Sequence, residues 1–367
     1  MRIDTIETSR VAVPLEKPFK TALRTVTVAE SVFVKVTCDD GTIGWGEAPP
    51  THVITGDSLA SIENVINYIL KPVLIGKSLH GKEEIFHLLD SLIVGNSSAK
   101  AAIDMALHDC FAQMCGLPLY QLLGGYRNTL ETDFTVSVNT PDEMAGDARR
   151  YVKDGFTALK VKVGKDDIKT DVRRIMAIRN AVGPGILIRL DANQGWKPKD
   201  AVRAIREMED KGLDIELIEQ PVKAHDIAGL KYVTDNVVTP IMADESVFSP
   251  IDARKVLETH SADLINIKLM KSGGIYHALT ISKLAESYGV NCMIGSMIET
   301  KLGITAAAHL AASQKNITRF DFDAPLMLAK DVLDGGIIYQ SNKIYLPEGT
   351  GLGINSVLIN DNETVTG

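Results

Sequence analysis

Residues 157–163 read TALKVKV, and residues 186–193 read ILIRLDAN. Each stretch is a short apolar run typical of a buried strand, and the segment between them, IKTDVRRIMAIRNAVG (residues 168–183), has the apolar spacing of a helix. A strand, a helix and a second strand in this order indicate a parallel β/α unit. Both strands carry charged side chains toward their carboxyl ends, which is where a β/α barrel builds its active site.

The same alternation of strands and helices continues from about residue 130 onward. The other predicted strands are TDFTVSV (132–138), DIELIEQ (214–220), PIMADES (240–246), ADLINIKLM (262–270), NCMIGSM (291–297) and RFDFDAP (319–325). Eight strands alternating with helices predict an α/β fold, a modified (β/α)7β barrel of the TIM type. An open doubly wound sheet is the alternative, but no glycine-rich phosphate loop follows an early strand.

The N-terminal part of the chain has a different pattern. Residues 1–50 predict strands and turns, whereas residues 58–124 predict helices. The expected divisions are an α+β capping domain (1–125), the barrel with the metal and catalytic residues (126–325) and a segment that returns to the capping domain (326–367). Within this last segment, GGIIYQSNKIYLP (335–347) predicts a hairpin.

Composition and charge restrict the classes of partner. The chain has 367 residues, of which 45% are hydrophobic and 23% charged, the usual balance of a soluble globular protein. The net charge of −8, with no basic patch, argues against nucleic acid. No apolar run approaches the ~20 residues that cross a bilayer, and the N-terminus lacks the apolar stretch of a signal peptide. We therefore expect a cytoplasmic protein without a membrane partner, and a homo-oligomer.

Polar side chains end the predicted strands at nearly even intervals, roughly 24–29 residues apart, which is the length of one βα unit. They are Thr135, Lys160, Lys162, Asp191, Glu219, Asp244, Lys268, Ser296, Asp321 and Asp323. Because the carboxyl ends of barrel strands meet at one mouth, we expect these side chains to converge there.

Three of these residues, Asp191, Glu219 and Asp244, each follow an apolar strand. Buried carboxylates are paired or bind metals, and a set of oxygen ligands without Cys or His suits Mg²⁺ or Mn²⁺. The alternative is that each carboxylate separately caps a helix or pairs with an arginine. Their common position at strand ends favours a shared metal.

Lys160 and Lys162 lie on the same face of their strand, and Lys268 occurs on another strand. A nearby cation lowers the pKa of a lysine, so that it can act as a general base. A base on each side of a metal-bound carboxylate favours racemisation or epimerisation, and elimination and cycloisomerisation could use the same groups. Outward, solvated lysines, a Schiff-base lyase using Lys162 or Lys268, and a non-catalytic binding protein are the alternatives. The lyase leaves the three carboxylates unexplained, and a binding protein needs no lysine on both sides of the site.

The KVK sequence on the second barrel strand, followed by Asp191, Glu219, Asp244 and Lys268 on the next four, resembles the muconate-lactonizing subgroup of the enolase superfamily over the whole chain. The resemblance implies a Mg²⁺-dependent enzyme that moves a proton next to a carboxylate through an enediolate. It leaves open cycloisomerases, o-succinylbenzoate synthases, N-acylamino acid racemases and dipeptide epimerases.

The DFD stretch at residues 321–323 resembles the motif with which dipeptide epimerases bind the free ammonium group of their substrate. N-acylamino acid racemases and o-succinylbenzoate synthases act on substrates without this group, so Asp321 and Asp323 favour epimerisation of a dipeptide, such as one of alanine and glutamate from cell-wall peptides. The resemblance further implies that Arg24, otherwise readable as a solvated surface charge, binds the glutamate side chain. Residues given a pocket-lining role on the same basis are Thr135, Ser296 and Ile298. Gly46 and Glu47 are expected at the domain interface.

Overall fold

The computed structural model describes residues 1–358 and begins with a three-stranded antiparallel sheet. Its strands are β1 (Ile3–Lys20), β2 (Thr25–Cys38) and β3 (Ile43–Ala48). The helical elements that follow are α1 (Leu59–Asn64), a π-helical segment (Val65–Leu70), α2 (Lys71–Leu74), a 3-10 turn (Leu79–Gly81), α3 (Lys82–Leu92), α4 (Ser97–Met114) and α5 (Leu119–Leu122). Helix α4 is buried along nearly its whole length because it packs against the sheet on one side and the barrel on the other. These elements confirm the predicted α+β character of the N-terminal part.

After the short strand β4 (Thr129–Glu131), eight strands form a parallel sheet in sequence order. They are β5 (Phe134–Val136), β6 (Ala158–Lys162), β7 (Leu187–Asp191), β8 (Ile215–Glu219), β9 (Ile241–Ala243), β10 (Leu264–Ile267), β11 (Asn291–Ile294) and β12 (Ile317–Phe320). The first and last strands meet, since the backbone N–H of Asp133 donates to the carbonyl of Phe320 over 3.2 Å. The predicted barrel is thus confirmed.

Helices connect the strands and cover the outside of the barrel. They are α6 (Pro141–Lys153), α7 (Ile168–Val182), α8 (Pro198–Asp210), α9 (Ile227–Thr234), α10 (Pro250–Thr259), α11 (Leu269–Ser272), α12 (Ile275–Ser287) and α13 (Lys301–Ser313). Several begin with a polar cap: Thr140 and Glu143 form a capping box on α6, and Asp167 caps α7. The apolar faces of these helices join the outward side chains of the strands in one large core.

The inside of the barrel is layered. Leu217, Met242, Leu264 and Met293 form a separate apolar cluster contributed by four neighbouring strands. Charged side chains form another part of the interior, where Arg189 donates to Asp133 over 2.8 Å. A further group of buried charged side chains lies at the mouth, at the carboxyl ends of the strands.

The C-terminal segment contains the predicted hairpin, formed by β14 (Ile338–Gln340) and β15 (Lys343–Tyr345) after β13 (Leu333–Gly335) and before β16 (Ile354–Val357). The hairpin pairs with β4, which directly precedes the first barrel strand, rather than with the capping domain. The segment contacts the N-terminal part on both sides of the hairpin: the backbone N–H of Ala329 donates to the carbonyl of Pro14 over 2.9 Å, and the carbonyl of Gly351 accepts from the backbone N–H of Leu119 over 2.8 Å. Residues 359–367 of the predicted segment lie outside the described residues.

Among residues 1–358, no helix has both the length and the apolar character needed to cross a membrane. The four cysteines carry free thiols, and Cys115 alone of them is exposed.

Candidate active site

The polar series predicted from the sequence meets at the mouth of the barrel. Lys162, Asp191 and Glu219 are the last residues of β6, β7 and β8, and Asp244 and Lys268 directly follow β9 and β10. The strand register confirms this layout, because Lys162 pairs with Asp191, and Asp191 pairs with Glu219. All five side chains are buried.

The order of the strands arranges these groups around the mouth. β6 and β10 are the second and sixth of eight strands, so Lys162 and Lys268 approach from opposite sides of the barrel. The carboxylates of β7, β8 and β9 occupy the arc between them. Asp321, which follows β12, lies on the opposite arc. A molecule in this mouth therefore meets carboxylates at both ends and an ammonium group on each flank.

The two flanking lysines bind the nearest carboxylates directly. Lys162 Nζ lies 2.6 Å from Asp191 Oδ2, and Lys268 Nζ lies 2.8 Å from Asp244 Oδ2. Their ammonium groups thus act as counter-ions for carboxylates that are removed from water.

Lys160 lies deeper and joins the two arcs. Its Nζ atom is 2.8 Å from Glu219 Oε2 and 3.3 Å from Asp191 Oδ2 on one side, and it donates to Asp321 Oδ2 over 2.9 Å on the other. Only 1% of Lys160 is exposed. A permanent positive charge at this depth stabilises negative charge anywhere in the mouth.

The carboxylates that contact Lys160 and Lys268 change the pKa values of these lysines. Burial opposes the ammonium form of Lys160, but Asp321 and Glu219 raise its pKa well above the ordinary value. Burial also opposes the ammonium form of Lys268, but Asp244 and the other neighbouring carboxylates together raise its pKa. The lowering that a bound cation would cause stays a prediction.

The carboxylate arc fits a hard divalent cation in its chemistry. Burial and the neighbouring Asp191 raise the pKa of Glu219 to about 7, and burial and Asp244 raise that of Glu245 to about 8, so a cation bound here would favour the ionised form of both carboxyl groups. The buried oxygens Asn193 Oδ1 and Glu245 Oε2 accept no hydrogen bond from the part of the chain that the structure describes. Among residues 1–358, however, no group of three Asp, Glu, His or Cys side chains is arranged so that it could hold a metal ion. Lysine ammonium groups lie between the carboxylates of the arc.

Asp321 and Asp323 both line the mouth and are almost fully buried. Their placement on an extended strand was wrong: β12 ends at Phe320, and Asp323 has helical backbone angles at the start of a 3-10 turn (Ala324–Met327). The two carboxyl groups nevertheless remain neighbours, and burial together with Asp321 raises the pKa of Asp323 to about 7. Asp323 Oδ2 accepts from the backbone N–H of Thr135 over 2.6 Å, and no lysine or arginine of residues 1–358 forms an ion pair with it, whereas Asp321 is paired with Lys160.

The capping domain closes the mouth from above. Phe19 and Arg24, from the end of β1 and the turn after it, line the same cavity as Lys162 and Lys268. No carboxylate of the described residues forms an ion pair with Arg24, and burial lowers the pKa of its guanidinium. The other three predicted pocket residues, Thr135, Ser296 and Ile298, also line the cavity.

Sequence reasoning missed several polar residues of the site. Glu245 directly follows a predicted ligand, and Asn193 follows Asp191 by two residues and binds Glu245 over 3.3 Å. Lys271, one helical turn after Lys268, places its Nζ atom 2.7 Å from Asp244 Oδ1. Each could have been found by its spacing from a predicted residue, one to three positions along the chain.

Comparison with known proteins identifies the family. Residues 143–357 match the family described as enolase C-terminal domain-like, and residues 4–124 match the N-terminal domain of mandelate racemase and muconate lactonizing enzyme. The chain belongs to this family, the mandelate racemase/muconate lactonizing group of the enolase superfamily.

Individual relatives resemble the chain closely in sequence and in structure. The chain is 67% identical over 354 residues to an L-Ala-D/L-Glu epimerase of Bacillus subtilis, covering 96% of this chain and 97% of that one. A structure of that species' enzyme with bound substrate has a TM-score of 0.97 at 66% identity, covering 98% of this chain and all of the other. A dipeptide epimerase of Enterococcus faecalis, complexed with Mg and L-Leu-L-Tyr, has a TM-score of 0.94 at 46% identity, covering 96% and 99%.

Proposed function

We propose that this protein is an isomerase that epimerises dipeptides, with L-Ala-D/L-Glu as its substrate. The reaction is a transfer of the proton at the α-carbon of the C-terminal residue, next to its carboxylate. The observation that carries the proposal is the position of Lys162 and Lys268 on opposite strands, with the carboxylates of β7 to β9 between them on one arc and the aspartate pair on the other.

Asp191, Glu219 and Asp244 are the residues that would hold Mg²⁺. When bound, the cation supplies Lewis-acid stabilisation of the negative charge that develops on the substrate carboxylate. Lys160, which keeps its proton because Asp321 and Glu219 raise its pKa, stabilises the same charge from below.

Two bases are needed because the substrate loses its α-proton on one face, and the planar intermediate must gain a proton on the other face. One of the two lysines, Lys162 or Lys268, removes the proton from one epimer, and the ammonium group of the other lysine delivers a proton to the opposite face; in the reverse reaction the two lysines exchange roles. A single side chain at one edge of the barrel reaches only one face. A binding protein on the same fold requires neither lysine.

The opposite arc orients the dipeptide. Asp321 and Asp323 accept the N-terminal ammonium group, and the carboxyl group of Asp323, whose pKa is about 7, becomes ionised as it gains this cation. Arg24 binds the side-chain carboxylate of the C-terminal glutamate. Its position in the cavity and its lack of a carboxylate partner within the described residues support this role.

A library of dipeptides incubated with the enzyme and Mg²⁺ in D₂O tests the proposal. Deuterium should appear at the α-carbon of the C-terminal residue in L-Ala-L-Glu and L-Ala-D-Glu, and each should form the other. Preference for N-acylated amino acids, or formation of o-succinylbenzoate, would replace the dipeptide assignment by the alternatives within the same family.

Three further expectations stay predictions: that Mn²⁺ substitutes for Mg²⁺, that the protein forms a homo-oligomer, and that it works in the cytoplasm on peptides from the cell wall. The same holds for the domain limits at residues 125 and 325.

A further inference from the structure

We infer that Glu47, a capping-domain residue far from the carboxylate arc in sequence, positions Lys268 through the loop that joins β11 to α13. The inference rests on the proposed two-base epimerisation. It gives the domain interface a role in catalysis that affects one of the two bases and not the other.

Glu47 lies near the end of β3 and is fully buried against the barrel. Its carboxylate accepts from Ser31 Oγ over 2.6 Å within its own domain. Across the interface it accepts from the backbone N–H of Thr300 (2.9 Å), from Thr300 Oγ1 (2.7 Å) and from the backbone N–H of Gly303 (2.7 Å). A capping-domain carboxylate thus satisfies free N–H groups in the first turn of α13, where negative charge is stabilised.

The loop held by these bonds forms one wall of the catalytic cavity. Ser296, Met297 and Ile298 line the cavity, and Glu299 fixes the loop from within, since its Oε1 accepts from the backbone N–H of Met297 over 2.8 Å. A shift of the start of α13 would therefore move residues that face the substrate.

The beginning of the same loop supports Lys268. A Cβ atom at Gly295 would lie 3.1 Å from Lys268 Cε and 2.9 Å from the amide of Asn266, so the lysine stem packs directly on the glycine backbone. The backbone N–H of Gly295 in turn donates to the carbonyl of Ile267, next to Lys268. The position of the ammonium group consequently depends on where this loop lies.

Burying two carboxyl groups at the domain interface costs free energy, which a purely structural contact would not require. Burial and the neighbouring Glu47 raise the pKa of Glu299 to about 8, so two carboxyl groups share a site from which water is excluded. An apolar contact would join the domains without this cost. Lys162 lies across the barrel on β6, so a displaced loop should affect the reaction of Lys268 much more than that of Lys162.

The test introduces Glu47→Gln, which removes the negative charge of Glu47, into two variants that each keep one of the two lysine bases. In Lys162→Ala, where Lys268 is the remaining base, Glu47→Gln should slow α-proton exchange with D₂O about 10-fold, as expected for a displaced catalytic group. In Lys268→Ala, where Lys162 remains, the exchange rate should change by less than about twofold. Glu47→Gln should also be measured in the enzyme that keeps both lysines. There it should change the ratio of the deuterium-uptake rates measured from the two epimers. This second measurement does not require the single-base variants to be active.

Asp109→Asn is the matched control. Asp109 is also a buried capping-domain carboxylate, accepting from the backbone N–H groups of Trp45 (3.1 Å) and Leu352 (2.8 Å), but it faces the C-terminal segment. This variant should lower the unfolding temperature without changing the ratio. If Glu47→Gln does not fold, Ser31→Ala, which removes one donor to Glu47, should shift the ratio in the same direction by less.

Equal slowing in both backgrounds, or the same ratio change in Asp109→Asn, overturns the inference and leaves the proposed function intact. Absence of exchange with every dipeptide in the wild-type enzyme overturns the proposed function itself, and the inference with it.

Discussion

Replacement of Asp323 by Asn should remove most of the enzyme's preference for a substrate with a free amino group. Asp321 is already paired with Lys160 at 2.9 Å, whereas no lysine or arginine of residues 1–358 forms an ion pair with Asp323, so Asp323 is the carboxylate available for the substrate ammonium. A hydrogen bond to a charged group contributes roughly 1.5–3 kcal/mol. Its loss should lower kcat/KM for L-Ala-L-Glu by about 10- to 100-fold, because about 1.4 kcal/mol corresponds to a tenfold change.

The measurement compares L-Ala-L-Glu with its N-acetyl derivative by deuterium incorporation in the wild type, in Asp323→Asn and in the double variant Asp321→Asn/Asp323→Asn. The amide of Asn still accepts from Thr135, so the fold of this region should persist and circular dichroism should be unchanged. We expect the double variant to handle the two compounds almost equally. Equal turnover of both compounds by the wild type would refute the ammonium site and favour an N-acylamino acid racemase.

Three further predictions concern the metal, the bases and pH. Removal of divalent cations should abolish turnover and Mg²⁺ should restore it, so full activity in a preparation shown to be metal-free by elemental analysis contradicts the metal site. Lys268→Ala and Lys162→Ala should each stop epimerisation, measured by polarimetry, but retain α-proton exchange of one epimer. Lys160→Ala should slow both directions alike. Normal epimerisation by Lys268→Ala would exclude the two-base mechanism. Because the substrate ammonium requires ionised Asp323, whose pKa is raised to about 7, kcat/KM at saturating Mg²⁺ should fall below that pH, about tenfold one unit lower; a profile unchanged in Asp323→Asn assigns the fall to another group.

Much of the barrel and its mouth could be predicted from the sequence because both depend on local order. Each strand is a short apolar run that ends in a polar residue, and the parallel connection brings all such ends to one side. Asp191 and Glu219 are therefore found by position alone. The lysine pKa values could not be predicted, since their direction depends on distances such as the 2.8 Å between Lys268 and Asp244.

Contacts between distant parts of the chain were the least predictable. The hairpin at residues 338–345 has a clear local pattern, but its partner β4 is some two hundred residues earlier, and no periodicity specifies that pairing. The hydrogen bond that Glu47 accepts from Thr300 could not be predicted from the sequence either, because a single glutamate in a strand forms no recognisable pattern. The conformation of Asp323 depends on the turn at Pro325, which ends the strand earlier than the alternation of residues indicates.

The capping domain supplies Phe19, Arg24 and Val53 to the cavity, and the barrel strands supply the lysines and carboxylates. If Arg24 binds the substrate side chain as proposed, recognition of that side chain and movement of the proton are encoded in separate stretches of the gene. Substitutions in the first 60 residues can change which dipeptide is accepted while the proton-transfer groups keep their places. We therefore expect substrate preference to change through single substitutions in these loops, each of which retains proton transfer.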